Sequence, residues 1–306
     1  MIAVLCGGVG AARMLRALSR LVPAEELVGV VNVGDDLTLH GLRICPDLDT
    51  ITYTLAGLDN TETGWGLTGE TWRVMEELRA LGGEAWFGLG DRDLATHLYR
   101  TQRLIQGDRL SEITASLLLH HGVASTLLPA TEDPLATTFE TADHETLSFQ
   151  EYFVRHHHAV AIRAVRIEGA QDATPGPGVL EALATAERII ISPSNPIISI
   201  APILAVPEIR EAVVNRRSDT VAVSPLVGGR ALKGPADRLL EEVGHGATAE
   251  GIARTYREIA STLVIDQVDA EWAPAVEAAG MACVVTGTVM DTPERSLRLA
   301  EVVLGV

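Results

Sequence analysis

Short apolar runs rich in valine and isoleucine recur along the chain: IAVLC at 2–6, LVGVVNV at 27–33, RIIIS at 188–192, TVAVS at 220–224, STLVI at 261–265 and ACVVTG at 282–287. Polar residues do not alternate through them. A strand with one wet face alternates, whereas a strand apolar at successive positions is covered on both faces, the condition of a parallel sheet. AWFGL at 85–89 and AVAIRAVRI at 159–167 read as two further strands. Stretches with helical spacing lie between many of these runs, among them TWRVMEELRALG (71–82), PEIREAVVN (207–215) and PERSLRLAEVVLG (293–305). The alternation predicts an α/β fold: one doubly wound, mostly parallel, Rossmann-like domain over 1–306. Residues 91–121 hold two consecutive helical patterns and predict a helical insertion over the active-site crevice. Residues 131–158 predict a small β-rich excursion.

With 306 residues the chain has enough length for a real core, and its net charge of −17 argues against general nucleic-acid binding, which needs a basic surface. Three cysteines (Cys6, Cys45, Cys283) without a spacing pattern suit neither a disulfide framework nor a zinc site. The N-terminal stretch lacks the features of a signal peptide, and no apolar run approaches the ~20 residues that span a bilayer, so a cytoplasmic protein without membrane contact is expected.

The motifs collect where strands end, the side on which open α/β sheets bind ligands. GGVGAAR follows the first strand and opens a helix. Gly7, Gly8 and Gly10 let a phosphate approach the backbone and the free helix N–H groups, with Arg13 close by. It is not a dinucleotide fingerprint, because Ala12 and Arg13 stand where a third glycine would fall, which argues against a nicotinamide dehydrogenase. VVNVGDD and CPDLDT then place Asp35, Asp36, Asp47 and Asp49 within fifteen residues. Capping of the following helix accounts for one of them, most naturally Asp47 after Pro46; the cluster as a whole suits Mg²⁺, which takes carboxylates and completes its shell with substrate phosphates. FGLGDRDLATH adds Asp91, Arg92 and His97, with Arg92 either a phosphate clamp or one half of a surface ion pair. ISPSNPIIS offers Ser192, Ser194 and Asn195 as an anion nest or as helix caps. SPLVGGRALKGPADRL offers Gly229 and Lys233 in a glycine loop. His40 and Thr50 belong to the same strand-end segments. The run HHH at 156–158 reads poorly as a metal site, since neighbours on a strand face opposite ways.

The segments GGVGAARML, VVNVGDDLTLHGLRICPDLDT, WFGLGDRDLATHLYRTQRLIQGDRL, LLPATEDPLATTFET, ISPSNPIISIAPILAVPEIREAV and VAVSPLVGGRALKGPADRLL occur in this order and together resemble the 2-phospho-L-lactate transferase family over nearly the whole chain. The wording of CPDLDT and WFGLGDRD resembles the actinobacterial branch, whose members are called phosphoenolpyruvate transferases. The resemblance implies an enzyme of coenzyme F420 biosynthesis. It would join the deazaflavin alcohol Fo to the acid-bearing phosphate of a guanosine diphosphate conjugate, lactyl or enolpyruvyl, with release of GMP. It also implies Mg²⁺ and a homodimer. Asp49 and Arg92 would contact Fo or the transferred phosphate, and Asp49 with Asp47 or Asp36 would bind the metal or take the hydroxyl proton. Trp65, Trp86 or Tyr53 would wall the ring. The rival is a related non-catalytic regulator that binds a UDP-sugar, whose acidic segment continues into a glycine/serine run instead of LTLHGLRICPDLDT.

Overall fold

The structure, a computed structural model, describes residues 1–61 and 64–305. Seven strands form the central sheet: β1 (Ile2–Cys6), β2 (Leu27–Val31), β3 (Thr126–Pro129), β4 (Arg188–Ile191), β5 (Thr220–Val223), β6 (Thr262–Asp266) and β7 (Ala282–Thr286). Their spatial order is 7-6-5-4-1-2-3, and every adjacent pair is parallel. The expected parallel α/β sheet is therefore present. β1, β2 and β5 are buried at every position, as their unbroken apolar runs require.

The chain builds outward from β1 to β2 and β3, then returns to the other side of β1 with β4. That reversal opens a crevice above the carboxyl ends of β1 and β4. The turn after β1 leads into helix α1 (Gly8–Leu18), and the turn after β2 holds Asp35. Helix α2 (Pro46–Leu55) packs beside α1, and α3 (Arg73–Ala80) follows. The predicted helical insertion is α4 (Asp91–Ile105) and α5 (Leu110–His120).

Two expected strands are not as read. AWFGL forms no strand. Residues 85–89 run as a loop into α4, and Leu89 buries itself in a small cluster with Ile44, Met75 and Leu94. Glycines at 88 and 90 weaken the segment as a strand, and among the described residues no strand pairs with it. AVAIRAVRI does hold a strand, Ile162–Glu168, but it pairs antiparallel with Ala136–Thr141 in a separate three-stranded sheet that Thr146–Ser148 completes. Arg163 and Arg166 face solvent there, so the segment is a one-sided strand and not a doubly covered one. Two of its strands fall in the 131–158 segment, and the third lies beyond it. Two short hairpins were not foreseen: Leu37–Leu39 with Leu42–Ile44, and Leu226–Val227 with Arg230–Ala231.

Candidate active site

The glycine turn is built for close approach. Gly8 sits at φ +74°, a left-handed value that favours glycine. A Cβ on Gly10 would lie 2.4 Å from the Pro193 carbonyl oxygen, and one on Gly7 would lie 2.6 Å from Asp47 Oδ2. Ser194 Oγ donates to the Gly7 carbonyl at 2.7 Å, and Ser192 Oγ donates to that of Leu5 at 2.8 Å. Both serines thus tie the loop after β4 to the loop after β1. Asn195 accepts from Ile197 N at 2.9 Å and caps the turn that follows. The loop shapes the crevice while most of its side-chain groups serve the protein itself.

Asp47 caps a helix, though not its own. Gly8 N, at the start of α1, donates to Asp47 Oδ1 at 2.6 Å. Asn32 Nδ2 donates to Asp47 Oδ2 at 2.9 Å and reaches Asp35 Oδ1 at 3.3 Å, so two buried carboxyls crowd one amide. Burial pushes the Asp47 carboxyl up to about 6. Burial, and then the charges of Asp47 and Asp36, push Asp35 well above the usual carboxylate range. Each carboxylate therefore holds its proton more tightly than an exposed one, and a cation beside the pair would relieve the repulsion.

Above this pair lies a cavity of about 330 Å³. Gly7, Gly8 and Gly10 line one side, Pro193, Ser194 and Asn195 another, and Lys233 and Gly234 a third, with Asp35 and Asp47 at its base. Arg13 lines it too, its guanidinium donating to the Met290 carbonyl at 3.0 Å. Lys233 reaches across towards Gly64, where a Cβ would lie 2.4 Å from its ammonium nitrogen. Gly229 makes the turn of the second hairpin at φ +71° and is not among the lining residues, nor is Ser192.

A second cavity of about 320 Å³ adjoins the first. Tyr53, Trp65, Phe87, Phe149 and Phe153 give it aromatic walls, and Asp49, Thr50, Asp93 and His97 give it a polar end. Phe149 and Phe153 stack at 4.5 Å with 4° between their planes. Asp35, Phe149 and Phe153 line both cavities. At the polar end, Asp49 pairs with Arg100, whose other nitrogen lies 3.3 Å from His97 Nδ1. His97 Nε2 faces Asp93 Oδ2 at 3.4 Å, and Tyr53 donates to Asp93 Oδ1 at 2.7 Å.

Of the residues singled out in the sequence, the structure gathers Gly7, Gly8, Gly10, Arg13, Asp47, Ser194, Asn195 and Lys233 at the first cavity and Asp49, Thr50 and His97 at the second. Others it places elsewhere. Arg92 is exposed and donates to the Thr68 carbonyl. Asp91 accepts from Arg73 N and Val74 N, capping α3 across a gap in sequence. His40 forms an exposed hairpin turn at φ +52°. Asp36 pairs with Arg43 at 3.0 Å. Asp36, Asp47 and Asp49 thus each hold a different partner: Arg43, Asn32 with Gly8 N, and Arg100. Trp86 packs on Phe87 and is not a lining residue, whereas Trp65 and Tyr53 are. Sequence reasoning passed over Asp93, Arg100, Phe149 and Phe153. Asp93, His97 and Arg100 recur at helical spacing on one face of α4, a signal that was available. The two phenylalanines carry no such signal, since only the docking of the excursion brings them to the crevice.

A family model described as 2-phospho-L-lactate transferase CofD matches residues 2–286. A phosphoenolpyruvate transferase from Kitasatospora aureofaciens is 44% identical, with 100% of this chain and 97% of that protein covered. One from Streptomyces griseus is also 44% identical, covering 98% and 96%. One from Mycolicibacterium smegmatis is 41% identical, covering 87% and 86%. Among solved structures, a UPF0052-family protein from Bacillus halodurans shares the fold, with a TM-score of 0.66 over 99% of this chain and 98% of that one at 17% identity.

Proposed function

The chain belongs to the 2-phospho-L-lactate transferase family, and from that premise we propose that it moves a phosphoenolpyruvyl group from a guanosine diphosphate conjugate to the terminal ribityl hydroxyl of Fo, releasing GMP, in coenzyme F420 biosynthesis. The names of the 41–44% identical relatives favour the enolpyruvyl donor over the lactyl one. The observation that carries the reading is the pair of unlike cavities sharing Asp35. One has a glycine turn, a helix N-terminus and a lysine, the groups that hold a diphosphate. The other has aromatic walls, which suit a flat ring system.

In this arrangement the acceptor hydroxyl meets the acid-bearing phosphorus beside Asp35. Transfer of this kind asks the protein for alignment and charge neutralisation more than for covalent chemistry. Asp35, which lines both cavities, orients the hydroxyl. The α1 N-terminus and Lys233 take the charge that gathers on the departing GMP phosphate. Asp35 and Asp47 fit a hard dication: two buried carboxyls at the base of the phosphate-side cavity share one amide donor, and both hold protons more tightly than usual. Mg²⁺ held there would supply charge neutralisation for the diphosphate.

The test is an end-point assay by mass spectrometry. Purified protein, Mg²⁺ and Fo are mixed with the enolpyruvyl and the lactyl conjugate in turn. Product with stoichiometric GMP, lost on chelation, is expected from the enolpyruvyl donor. No product from either, with Fo failing to bind, would sink the reading. Asp35→Asn should lower kcat roughly 100-fold or more and raise the Mg²⁺ concentration needed for half-maximal rate.

A further inference from the structure

The 131–158 excursion grips the Gly34–Asp35 turn at two points. Thr137 N, in the strand Ala136–Thr141, donates to the Gly34 carbonyl at 2.7 Å. Gln150 Nε2 donates to the Asp35 carbonyl at 2.9 Å. Gln150 stands between Phe149 and the helical turn Glu151–Arg155 that carries Phe153, and it is 6% exposed. A backbone carbonyl can only accept, so the end of the amide that meets Asp35 is the –NH₂ and the end that points away is the oxygen Oε1. Among the described residues Oε1 takes no hydrogen bond from the protein, yet it is not walled in as Asp36 Oδ1 is. Gln150 lines the aromatic cavity, so this free acceptor opens on to it. The carboxylates at the polar end are committed to Arg100, His97 and Tyr53, which leaves Gln150 as a neutral acceptor on the side of Asp35.

We propose that Gln150 reads the hydroxylated chain of the acceptor: its amide nitrogen holds the Asp35 turn while its oxygen accepts from an inner hydroxyl of that chain. The inference rests on the transferase reading for the identity of the acceptor. A flat ring between the aromatic walls and a terminal hydroxyl at Asp35 oblige the linking chain to run past Gln150, which borders the cavity and bonds Asp35. A hydroxyl without a partner in an apolar slot costs free energy, and so does a half-buried acceptor covered by an alkyl chain. The site therefore favours a polyol chain over an alkyl chain of equal length, and discrimination by a hydrogen-bonding group is sharper than fit to an apolar wall alone. The two ends of the amide also act together. A hydroxyl on Oε1 polarises the amide and strengthens its N–H bond to the Asp35 carbonyl, so the chain that is read steadies the residue that orients the terminal hydroxyl.

Two acceptors test this: Fo, and the same deazaflavin ring on a five-carbon alkyl chain that keeps only the terminal hydroxyl. Calorimetric titration of the full-length protein with each, at fixed Mg²⁺, gives the ratio of their affinities. The wild-type protein should favour Fo. Gln150→Met, similar in length and without hydrogen-bonding groups, should cut that preference roughly tenfold. Gln150→Glu keeps an acceptor at the same reach and loses the donor to Asp35; it should keep the preference while its kcat with Fo falls roughly tenfold. No preference for Fo in the wild-type protein would overturn the proposal, as would a Gln150→Met variant, folded by its thermal melt, that weakens both acceptors alike. Should that variant not fold, loss of the preference in Gln150→Glu overturns it instead. A wild-type protein that binds neither acceptor would remove the transferase reading and this inference with it; one that binds and transfers to both alike would remove this inference alone.

Discussion

The Asp36 side chain is buried, with one carboxylate oxygen on Arg43 at 3.0 Å and the other without a hydrogen-bond partner. Burial, only partly opposed by Arg43, pushes its carboxyl up to about 6, above the ordinary value of an unfolded aspartate. The fold therefore prefers the protonated form. Its contribution to stability is complete below the unfolded-state value and is lost as pH rises through about 6. Asp36→Asn keeps an oxygen for Arg43 and removes the buried charge. In chemical denaturation the variant should match the wild-type protein near pH ~4 and gain on it as pH rises, by on the order of 2 kcal/mol at pH ~7.5. A gap that shrinks as pH rises would contradict the sign. Arg100 makes the opposite case. It is 2% exposed, and Arg100→Met would strand Asp49 in the interior without its cation. A loss of about 3–5 kcal/mol is expected in the same denaturation experiment, far beyond what a surface ion pair contributes.

At the scale of elements, the crevice depends on two loops drawn close by the reversal of strand order at β1 and β4. Gly10 is where they touch. The atom facing it is a backbone carbonyl, that of Pro193, which cannot swing aside as a side-chain end does. Gly10→Ala should therefore push the two loops apart, costing about 1–3 kcal/mol in stability and weakening the guanosine-diphosphate donor by a similar amount. Calorimetric titration with GDP against the wild-type protein reads the second effect; unchanged GDP affinity in a folded variant would remove the glycine turn from the phosphate site. Much of this arrangement was legible beforehand. Unbroken apolar runs gave away the parallel sheet because doubly covered strands have no wet face to mark. The glycine turn and the acidic strand end stood where ligands bind in such sheets. AWFGL was misread because five apolar residues make a strand only when a neighbour offers a ladder. Asp47 was expected to cap α2, and it caps α1 instead, because capping across elements depends on tertiary packing that local spacing does not encode. Arg92 and Asp91 misled for the same reason: their motif sits at a strand-end position in the sequence, yet their partners are the 68–74 segment.

Across the whole molecule, two cavities of similar volume meet at Asp35 under one shared wall, the Phe149–Phe153 stack. The wall comes from the excursion rather than the sheet. The parallel core thus supplies the glycine-turn cavity, α2 and the α4 insertion together supply the polar end of the aromatic one, and the excursion contributes the wall between the two. A transferase built this way faces a competing acceptor, water, whenever the hydroxyl is absent, and must keep it from the phosphorus. The stacked phenylalanines are placed to do so. Phe153→Ala removes one ring from the stack and opens the junction. The acceptor KM should rise roughly tenfold, about 1.4 kcal/mol, for the lost aromatic contact. The more telling quantity is the ratio of GMP released to product formed. In the wild-type enzyme it should be one. In the variant it should exceed one and grow as Fo is lowered, because donor bound without acceptor would lie open to hydrolysis. Chromatographic counting of both products across a range of Fo concentrations gives that ratio directly. A ratio that stays at one while KM rises would make the stack a binding surface alone and move the exclusion of water to the Lys233 loop, which reaches towards Gly64 across the mouth of the crevice.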